Sequence, residues 1–257
     1  MKTYKNYNSL VKIQVFETIN KEKAILEYIK KSKATCLYRE GNFANEIIWN
    51  GTAYKFTKQE KGHSFRKGLF LFSLVRKDAK EWLKKNKVKM PRKYPVNFNN
   101  ISYDFKDDKV VAFDIDHAYW RIAYNLGIIK YNTYFYGLDN DYKALRLACL
   151  STMGKQRDYL QVVNGVVTNR VAIIEGNEDL ANLYKVIRYT CYRYMHQLRK
   201  LLGNDFMSYN TDCIYFRDTK ENREKVKEFL KKKDLEFKLL YQRKSVPTQE
   251  RPLKKPN

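Results

Sequence analysis

The chain has few cysteines and histidines, and neither residue forms a cluster in the sequence. The four cysteines are widely separated and contain no C-x-x-C pair: Cys36, Cys149, Cys191 and Cys213. This spacing favours neither a zinc site nor a disulfide framework. The three histidines are also too scattered to be interpreted as a metal cluster. We expect four reduced cysteines in a cytosolic protein.

Long apolar runs are missing as well. No stretch approaches the roughly eighteen apolar residues that a transmembrane helix requires, and the first residues, Met1 to Lys5, carry no apolar segment of the kind found in signal peptides. The sequence therefore predicts a cytoplasmic protein without a membrane partner.

Acidic residues are scarce relative to basic ones. The chain has 51 Lys and Arg against 28 Asp and Glu, a formal net charge of +23. This excess favours a polyanionic partner. Aromatic residues make up 15% of the chain and are often interleaved with cations, as in Tyr189 to Tyr194. Because cations bind phosphates and rings stack on bases, the mixture indicates nucleic acid, although a charged, solvated surface is the simpler alternative.

Two aspartates stand at the ends of apolar segments. Asp114 follows the run Val110 to Phe113, and Asp212 precedes the run Cys213 to Phe216. Carboxylates at strand ends suit hard divalent cations such as Mg²⁺, and two such ions can stabilise an in-line phosphoryl displacement. An aspartate at a strand end is more often only a turn residue. The two aspartates would become neighbours only if their strands pair.

The segments around these aspartates resemble motifs of family B DNA polymerases, especially phage-encoded ones. Residues 113–119, Phe-Asp-Ile-Asp-His-Ala-Tyr, resemble motif A (D-x-x-S-L-Y-P). Residues 208–213, Ser-Tyr-Asn-Thr-Asp-Cys, resemble motif C (Y-x-D-T-D-S). Residues 146–154 have the spacing of motif B (K-x-x-x-N-S-x-Y-G). The resemblance covers residues 108–241 and implies a minimal form of the palm, without an exonuclease or an evident thumb.

The sequence departs from this pattern at several positions. Asn210 replaces the first aspartate of motif C, and Leu150 and Met153 replace Asn and Tyr of motif B. His117 and Trp120 also differ from the residues usual in motif A. The positions of the two metal-binding aspartates are kept, whereas those over the nascent base pair are changed.

The resemblance implies a role for each candidate site residue. Asp114 and Asp212 would be catalytic and, with the carbonyl of Ile115, would hold two Mg²⁺ (or Mn²⁺) ions. Arg146 and Lys143 would bind the triphosphate of a dNTP, and Tyr119 would discriminate against the 2′-hydroxyl. Lys238 and Tyr241 are similar to the family's Lys-x-Tyr element, which holds the primer, although their spacing is longer by one residue. Each cation has the alternative of a solvated surface charge, and Tyr119 that of a core aromatic.

The rest of the pattern predicts four regions. Residues 1–87 read as a basic α+β accessory domain, with a helix over 21–31, a hairpin turning at Asn50-Gly51, a strand over 68–75 and a helix over 78–87. Residues 88–107 read as a linker, and residues 242–257 as a basic disordered tail. Residues 108–241 would form the palm-like domain with a short fingers helix.

Within the palm-like region we expect six elements. A buried strand over 109–115 is followed by a helix over 141–153 and a long helix capped by Asn177 and ending near Leu202. The motif C hairpin comes next, then a helix with a capping box at Asp218 and Glu221, and a strand over 235–241. Together they predict an α+β fold, an antiparallel sheet with helices on one face.

We therefore expect a DNA polymerase-like nucleotidyltransferase that extends DNA, as primer–template or single strand, with dNTPs. The resemblance implies that the protein acts in phage replication, in the cytoplasm of the bacterial host, with phage replication proteins as further partners. One alternative is a catalytically degenerate palm fold that serves as the nucleic-acid-binding subunit of a phage replication complex. Another is a basic structural binder whose motif match arises by chance.

Overall fold

The structure is a computed structural model that describes residues 2–4, 7–41, 44–58, 65–90, 109–138 and 143–241. The chain divides into two compact units, and each unit is made of two separate stretches. Unit 1 comprises Met1–Val88 and Ile129–Tyr184, and unit 2 comprises Lys89–Ile128 and Lys185–Asn257. The predicted tail and residues 91–107 of the predicted linker lie outside the described residues.

Both units contain strands and helices, which confirms the predicted α+β class. The strands, numbered in chain order, are β1 (Lys2–Tyr4), β2 (Ile13–Thr18), β3 (Thr35–Arg39), β4 (Ala44–Trp49), β5 (Thr52–Thr57), β6 (Val110–Ile115), β7 (Arg157–Val163), β8 (Val166–Ile174), β9 (Phe206–Asn210), β10 (Cys213–Arg217) and β11 (Phe237–Tyr241). The helices are α1 (Glu22–Lys31), α2 (Phe65–Lys85), α3 (Ala118–Asn125), α4 (Tyr131–Gly137), α5 (Lys143–Thr152), α6 (Glu178–Leu202) and α7 (Lys220–Lys232). None of the described helices is long and apolar enough to cross a membrane.

Unit 1 is built on a seven-stranded mixed sheet in the order β1-β8-β7-β3-β4-β5-β2. β1–β8 and β2–β5 are parallel pairs, and the other neighbours are antiparallel. The predicted hairpin is confirmed, because Asn50 and Gly51 both take positive φ angles between β4 and β5. One sheet face buries a cluster with Ile29 of α1, and the opposite face buries a second cluster around Tyr159.

The predicted strand over residues 68–75 is wrong, because these residues belong to the 21-residue helix α2. Short apolar runs cannot by themselves distinguish a buried helix from a strand. Leu71, Val75 and Ala79 recur every four residues and are fully buried, which is the helical period. Gly68 lies close to α5, since a Cβ there would be 3.0 Å from the side chain of Leu145.

The strands β7 and β8 were not predicted, and they join the sheet of the N-terminal region. β7 pairs with β3 in an antiparallel register that places Thr35 opposite Val163 and Tyr38 opposite Leu160. The continuous domain boundaries drawn from the sequence therefore differ from the observed units, because residues 129–184 cluster with residues 1–88. Gly154 fixes the chain before β7, since a Cβ there would lie 2.2 Å from the backbone nitrogen of Ala181.

Unit 2 is built on a four-stranded antiparallel sheet in the order β11-β6-β10-β9. As predicted, β6 is an interior strand and is largely buried. One sheet face carries packed aromatic rings: Phe113 stacks on Phe237 at 4.5 Å between ring centroids and meets Phe216 edge-on at 5.2 Å. Asp114 belongs to the opposite face, because side chains alternate along a strand.

The long helix α6 begins and packs much as predicted. Asn177 caps it, since its Oδ1 accepts a hydrogen bond from the Leu180 nitrogen at 2.8 Å. The apolar stripe predicted for this helix comprises Leu180, Leu183, Ile187, Cys191, Tyr194, Leu198 and Leu201. Its members from Leu180 to Leu198 are buried except Tyr194, which is half-buried, whereas the next residue, Met195, is buried. At the C-terminal end the prediction was off by one position, because Leu201 is 43% exposed and Leu202 is buried instead.

The predicted capping box of α7 is displaced by one residue. Thr219, rather than Asp218, is the N-cap, and its hydroxyl accepts a hydrogen bond from the Asn222 nitrogen at 3.1 Å. Asp218 instead binds the Arg223 guanidinium, with an Nη2–Oδ2 distance of 2.6 Å. Of the three apolar residues predicted to be buried on this helix, Val226 and Leu230 are buried, whereas Phe229 is half-buried.

Candidate active site

The pairing of β6 with β10 brings the two candidate catalytic aspartates together. Asp114 is the fifth of the six residues of β6, and Asp212 lies in the two-residue turn between β9 and β10. Cys213 is the direct partner of Asp114, and the Ile115 nitrogen donates to the Asp212 carbonyl at 3.1 Å. The strand pairing that their proximity requires is therefore present.

The turn that carries Asp212 has an unusual backbone. Thr211 has a φ of 55°, a left-handed conformation that is a genuine outlier for a β-branched residue. Such conformations cost on the order of 1–3 kcal/mol and occur often at functional sites. Helix α6 supports the turn, because the Cys191 thiol approaches the Thr211 carbonyl at 3.9 Å. The packing of α6 thus helps to fix the position of Asp212.

Both carboxylates act electrostatically on Cys213. The pKa of its thiol is raised to about 11, first by burial and then by the negative charges of Asp114 and Asp212. Asp212 also raises the pKa of the Cys191 thiol, although burial is the larger cause. The two aspartates therefore share a region of negative potential, which is what a divalent cation requires.

Lys238 of β11 lies on the other side of Asp114. It is the direct partner of Asp114 in the β6–β11 pair, and its Nζ forms an ion pair with Asp116 at 2.7 Å. The hydrogen bond to Asp116, and secondarily the charge of Asp114, raises the pKa of Lys238. Tyr241, predicted to act with Lys238, pairs through its backbone with Val111 at the far end of β11.

Tyr119, the predicted sugar-discriminating residue, lies in the first turn of α3 and is half-buried. Its hydroxyl is hydrogen-bonded to Tyr192 of α6, and burial, Cys191 and this bond raise its pKa. The Tyr192 hydroxyl also accepts a hydrogen bond from Arg188 Nη2 at 2.9 Å. An Arg188–Tyr192–Tyr119 chain therefore holds the Tyr119 ring in a defined position.

The two predicted triphosphate ligands lie in unit 1, on helix α5. Arg146 is only 5% exposed, and its Nη1 donates to the Gly137 carbonyl at the end of α4. Burial lowers the pKa of Arg146. Lys143, at the start of α5, is exposed. Arg146 therefore links two helices in this structure, and Lys143 is the solvent-accessible cation of the two.

The donor set at the paired aspartates fits a hard divalent cation only in part. Asp114 and Asp212 supply carboxylate oxygens, and the carbonyl of Ile115 is the further oxygen that the resemblance implies. Within the described ranges, no group of three or more His, Cys, Asp or Glu residues is placed to hold a metal ion. Such a two-carboxylate site depends on substrate phosphates and water to complete the coordination, as is usual for Mg²⁺.

Arg188, Tyr192 and Tyr209 are the residues near this site that the sequence did not identify as functional. The pKa of the Tyr209 hydroxyl is raised by burial and further by Cys191, Tyr192 and Asp212. Arg188 and Tyr192 are four residues apart, so they share one face of α6. This spacing of a cation and an aromatic residue, at the start of the tyrosine-rich segment Tyr189 to Tyr194, was the available signal.

Comparison with known proteins found no matching family model, no similar curated protein and no similar solved structure.

Proposed function

We propose that the chain is a metal-dependent nucleotidyltransferase that extends DNA with dNTPs. The observation that carries this proposal is the β6–β10 pairing, which places Asp114 beside the turn of Asp212. The motif resemblance gives the same two residues as metal ligands in a polymerase palm. The net charge of +23 is consistent with a DNA partner. The same resemblance places this activity in phage replication, in the cytoplasm of an infected bacterium.

The paired aspartates would act by positioning charge. Asp114 and Asp212, with the Ile115 carbonyl, would hold two Mg²⁺ or Mn²⁺ ions. When bound, these ions would supply the charge neutralisation that phosphoryl transfer requires. Lys238 would approach the phosphate backbone of the primer, because its exposed side chain lies beside Asp114. The resemblance adds Tyr241 to the primer contacts.

The dNTP would be recognised through its sugar and its phosphates. The Tyr119 ring would lie against the deoxyribose, and the Arg188–Tyr192 pair would be its positioning residues. By resemblance, Lys143 and Arg146 would bind the triphosphate. Because Arg146 is already bound to the Gly137 carbonyl, the exposed Lys143 is the better placed of the two to meet a ligand from solvent.

Primer extension with labelled dNTPs tests this function. Wild-type protein should extend a primer–template in Mg²⁺ or Mn²⁺. Asp114→Asn and Asp212→Asn should each lower the rate on the order of a thousandfold, because metal-assisted charge stabilisation is worth several kcal/mol. Asp158→Asn, which removes an exposed carboxylate in unit 1, is the matched control and should keep the wild-type rate. Wild-type rates in both site variants would refute the catalytic assignment.

The second candidate is a catalytically degenerate palm fold that acts as a nucleic-acid-binding subunit of a phage replication complex. The buried, carbonyl-bound state of Arg146 favours it, because the motif B cation is then not presented to a triphosphate. This candidate predicts no incorporation in either metal, together with DNA binding that is unchanged in Asp114→Asn. Primer extension and binding measured on the same variants separate the two functions.

A further inference from the structure

A row of three charged residues crosses three strands of the unit 1 sheet, and an aromatic residue continues the row on a fourth strand. Arg39 of β3 is directly opposite Glu46 of β4, and Glu46 is directly opposite Lys55 of β5. Lys55 is in turn opposite Phe16 of β2, the edge strand of the sheet. Directly opposed residues lie on the same face, so a cation flanks Glu46 on each side.

Glu46 is buried, at 6% exposure, and its two oxygens are satisfied mainly by hydroxyl groups. Tyr7 donates to Oε1, and Tyr159 donates to Oε2 at 2.7 Å. Lys55 Nζ and Arg157 Nη1 each lie 4.0 Å from the carboxylate, at the limit of an ion pair. The carboxylate therefore does not neutralise either cation closely.

Cations outnumber acids in this group, which we call the Glu46 cluster: Glu46, Arg39, Lys55, Arg76, Arg157, Tyr7 and Tyr159. Arg76 comes from helix α2, and within the described part of the chain its Nε is buried without a hydrogen-bond partner. Burial, and then the nearby charge of Arg157, lowers the pKa of Arg76. Burial also lowers the pKa of Lys55. The charge of Glu46 opposes this shift, whereas the charges of Arg157 and Arg39 add to it. The cluster thus contains four cations and one carboxylate, and a bound anion would reduce the repulsion among the cations.

Aromatic rings lie beside these cations. The rings of Tyr7 and Phe16 are each centred 5.5 Å from Lys55 Nζ, and the Arg157 guanidinium lies 4.8 Å over the Tyr7 ring. Phe16 is 39% exposed on the edge strand, so part of its ring faces solvent. An exposed ring next to cations can stack on a nucleobase while the cations bind the phosphate.

We propose that the Glu46 cluster binds the phosphate group of a nucleotide unit, with Arg76, Arg39 and Lys55 as its cationic ligands. The unit can belong to a free nucleotide or to a single strand of nucleic acid, since both present the same phosphate. The hydroxyls of Tyr7 and Tyr159 donate hydrogen bonds to the two Glu46 oxygens. The positive charge of the cations can therefore interact with the ligand phosphate. This site does not depend on the proposed nucleotidyl transfer, because its binding can be measured without turnover.

The test is binding by the full-length chain at physiological salt, with three probes: a fluorescent oligothymidylate strand, dTTP and inorganic phosphate. Arg76→Gln and Arg39→Gln should each weaken binding of the preferred probe about tenfold, because a charge-assisted hydrogen bond is lost. Lys80→Gln on α2 and Arg170→Gln on β8 are matched controls at exposed positions, and each should change affinity less than about twofold. A strand-specific loss identifies nucleic acid as the source, and a loss shared by dTTP identifies the free nucleotide.

A purely structural polar network makes the opposite prediction. If the cluster only stabilises the fold, Arg76→Gln should lower the melting temperature without ligand and leave all affinities equal to those of the controls. If it binds phosphate, Arg76→Gln should keep or raise that melting temperature and lose the ligand-induced increase. Arg76→Lys, which keeps the charge, should recover most of the affinity. Primer extension by Arg76→Gln at saturating DNA and dNTP reports separately on the transfer reaction.

Discussion

Replacing Tyr119 is the sharpest test of how the candidate active site selects its substrate. Tyr119→Phe removes only the hydroxyl that is bonded to Tyr192, and Tyr192 keeps its bond from Arg188 at 2.9 Å. We expect a loss of about 1 kcal/mol in unfolding free energy. Tyr119→Ala removes a half-buried ring, so we expect about half the 3–5 kcal/mol of a fully buried aromatic, roughly 2 kcal/mol.

The two variants should differ in sugar selection. If the ring excludes the 2′-hydroxyl, Tyr119→Phe keeps the wild-type preference for dNTPs. Tyr119→Ala should raise the ratio of rNTP to dNTP incorporation on the order of tenfold, because steric exclusion in a pocket typically discriminates between substrates by about that factor. Single-nucleotide incorporation with matched dNTP and rNTP measures the ratio, and denaturant unfolding measures the stability. An unchanged ratio in a folded Tyr119→Ala protein would show that Tyr119 is only a core aromatic.

Three further predictions concern stability and binding. Gly154→Ala should lower the free energy of unfolding by at least about 1–3 kcal/mol, because the new Cβ would lie 2.2 Å from a backbone atom. Gly203→Ala should lower it by only about 1 kcal/mol, because no atom lies within 4 Å of the new Cβ and only the φ of +56° is unfavourable. Equal losses in denaturant unfolding would contradict the packing explanation. Burial raises the pKa of the Cys36 thiol from 9.0 to about 11, so the folded state binds the thiol proton more tightly than the unfolded state. The resulting stability is present below pH 9 and is lost as pH rises through about 11. A Cys36→Ala variant should flatten that part of the pH–stability profile. DNA affinity should fall with salt at a log–log slope of roughly −0.7 to −0.9 per phosphate neutralised, and titrations that show no salt dependence would contradict the role assigned to the +23 charge.

The strands of unit 2 could be predicted because their signals are local. The apolar run before Asp114 and the turn before Cys213 each mark an element without reference to the rest of the chain. Their pairing could be stated only as a condition, since strand order depends on contacts between distant residues. The resemblance supplied the reason to expect that pairing.

Other features depend on tertiary contacts and were missed. Residues 68–75 lacked a decisive period, and their helix is supported by packing against α5. The position of Arg157 could not be predicted from the sequence, because its charged neighbours, Glu46 of β4 and Arg76 of α2, are distant in the chain. The role of Arg188 could not be predicted, because the apolar period of α6 indicates only its buried face, whereas Arg188 acts through its hydrogen bond to Tyr192.

The interleaved stretches of the two units have a consequence for synthesis on the ribosome. The unit 1 sheet cannot be completed until β7 and β8 emerge, long after β5, and by then β6 of unit 2 has already been released. A nascent chain therefore exposes unpaired strand edges from both units at once, which favours aggregation or chaperone binding. Fragments cut near residue 88 or 108 should not fold alone, because either cut separates strands of one sheet.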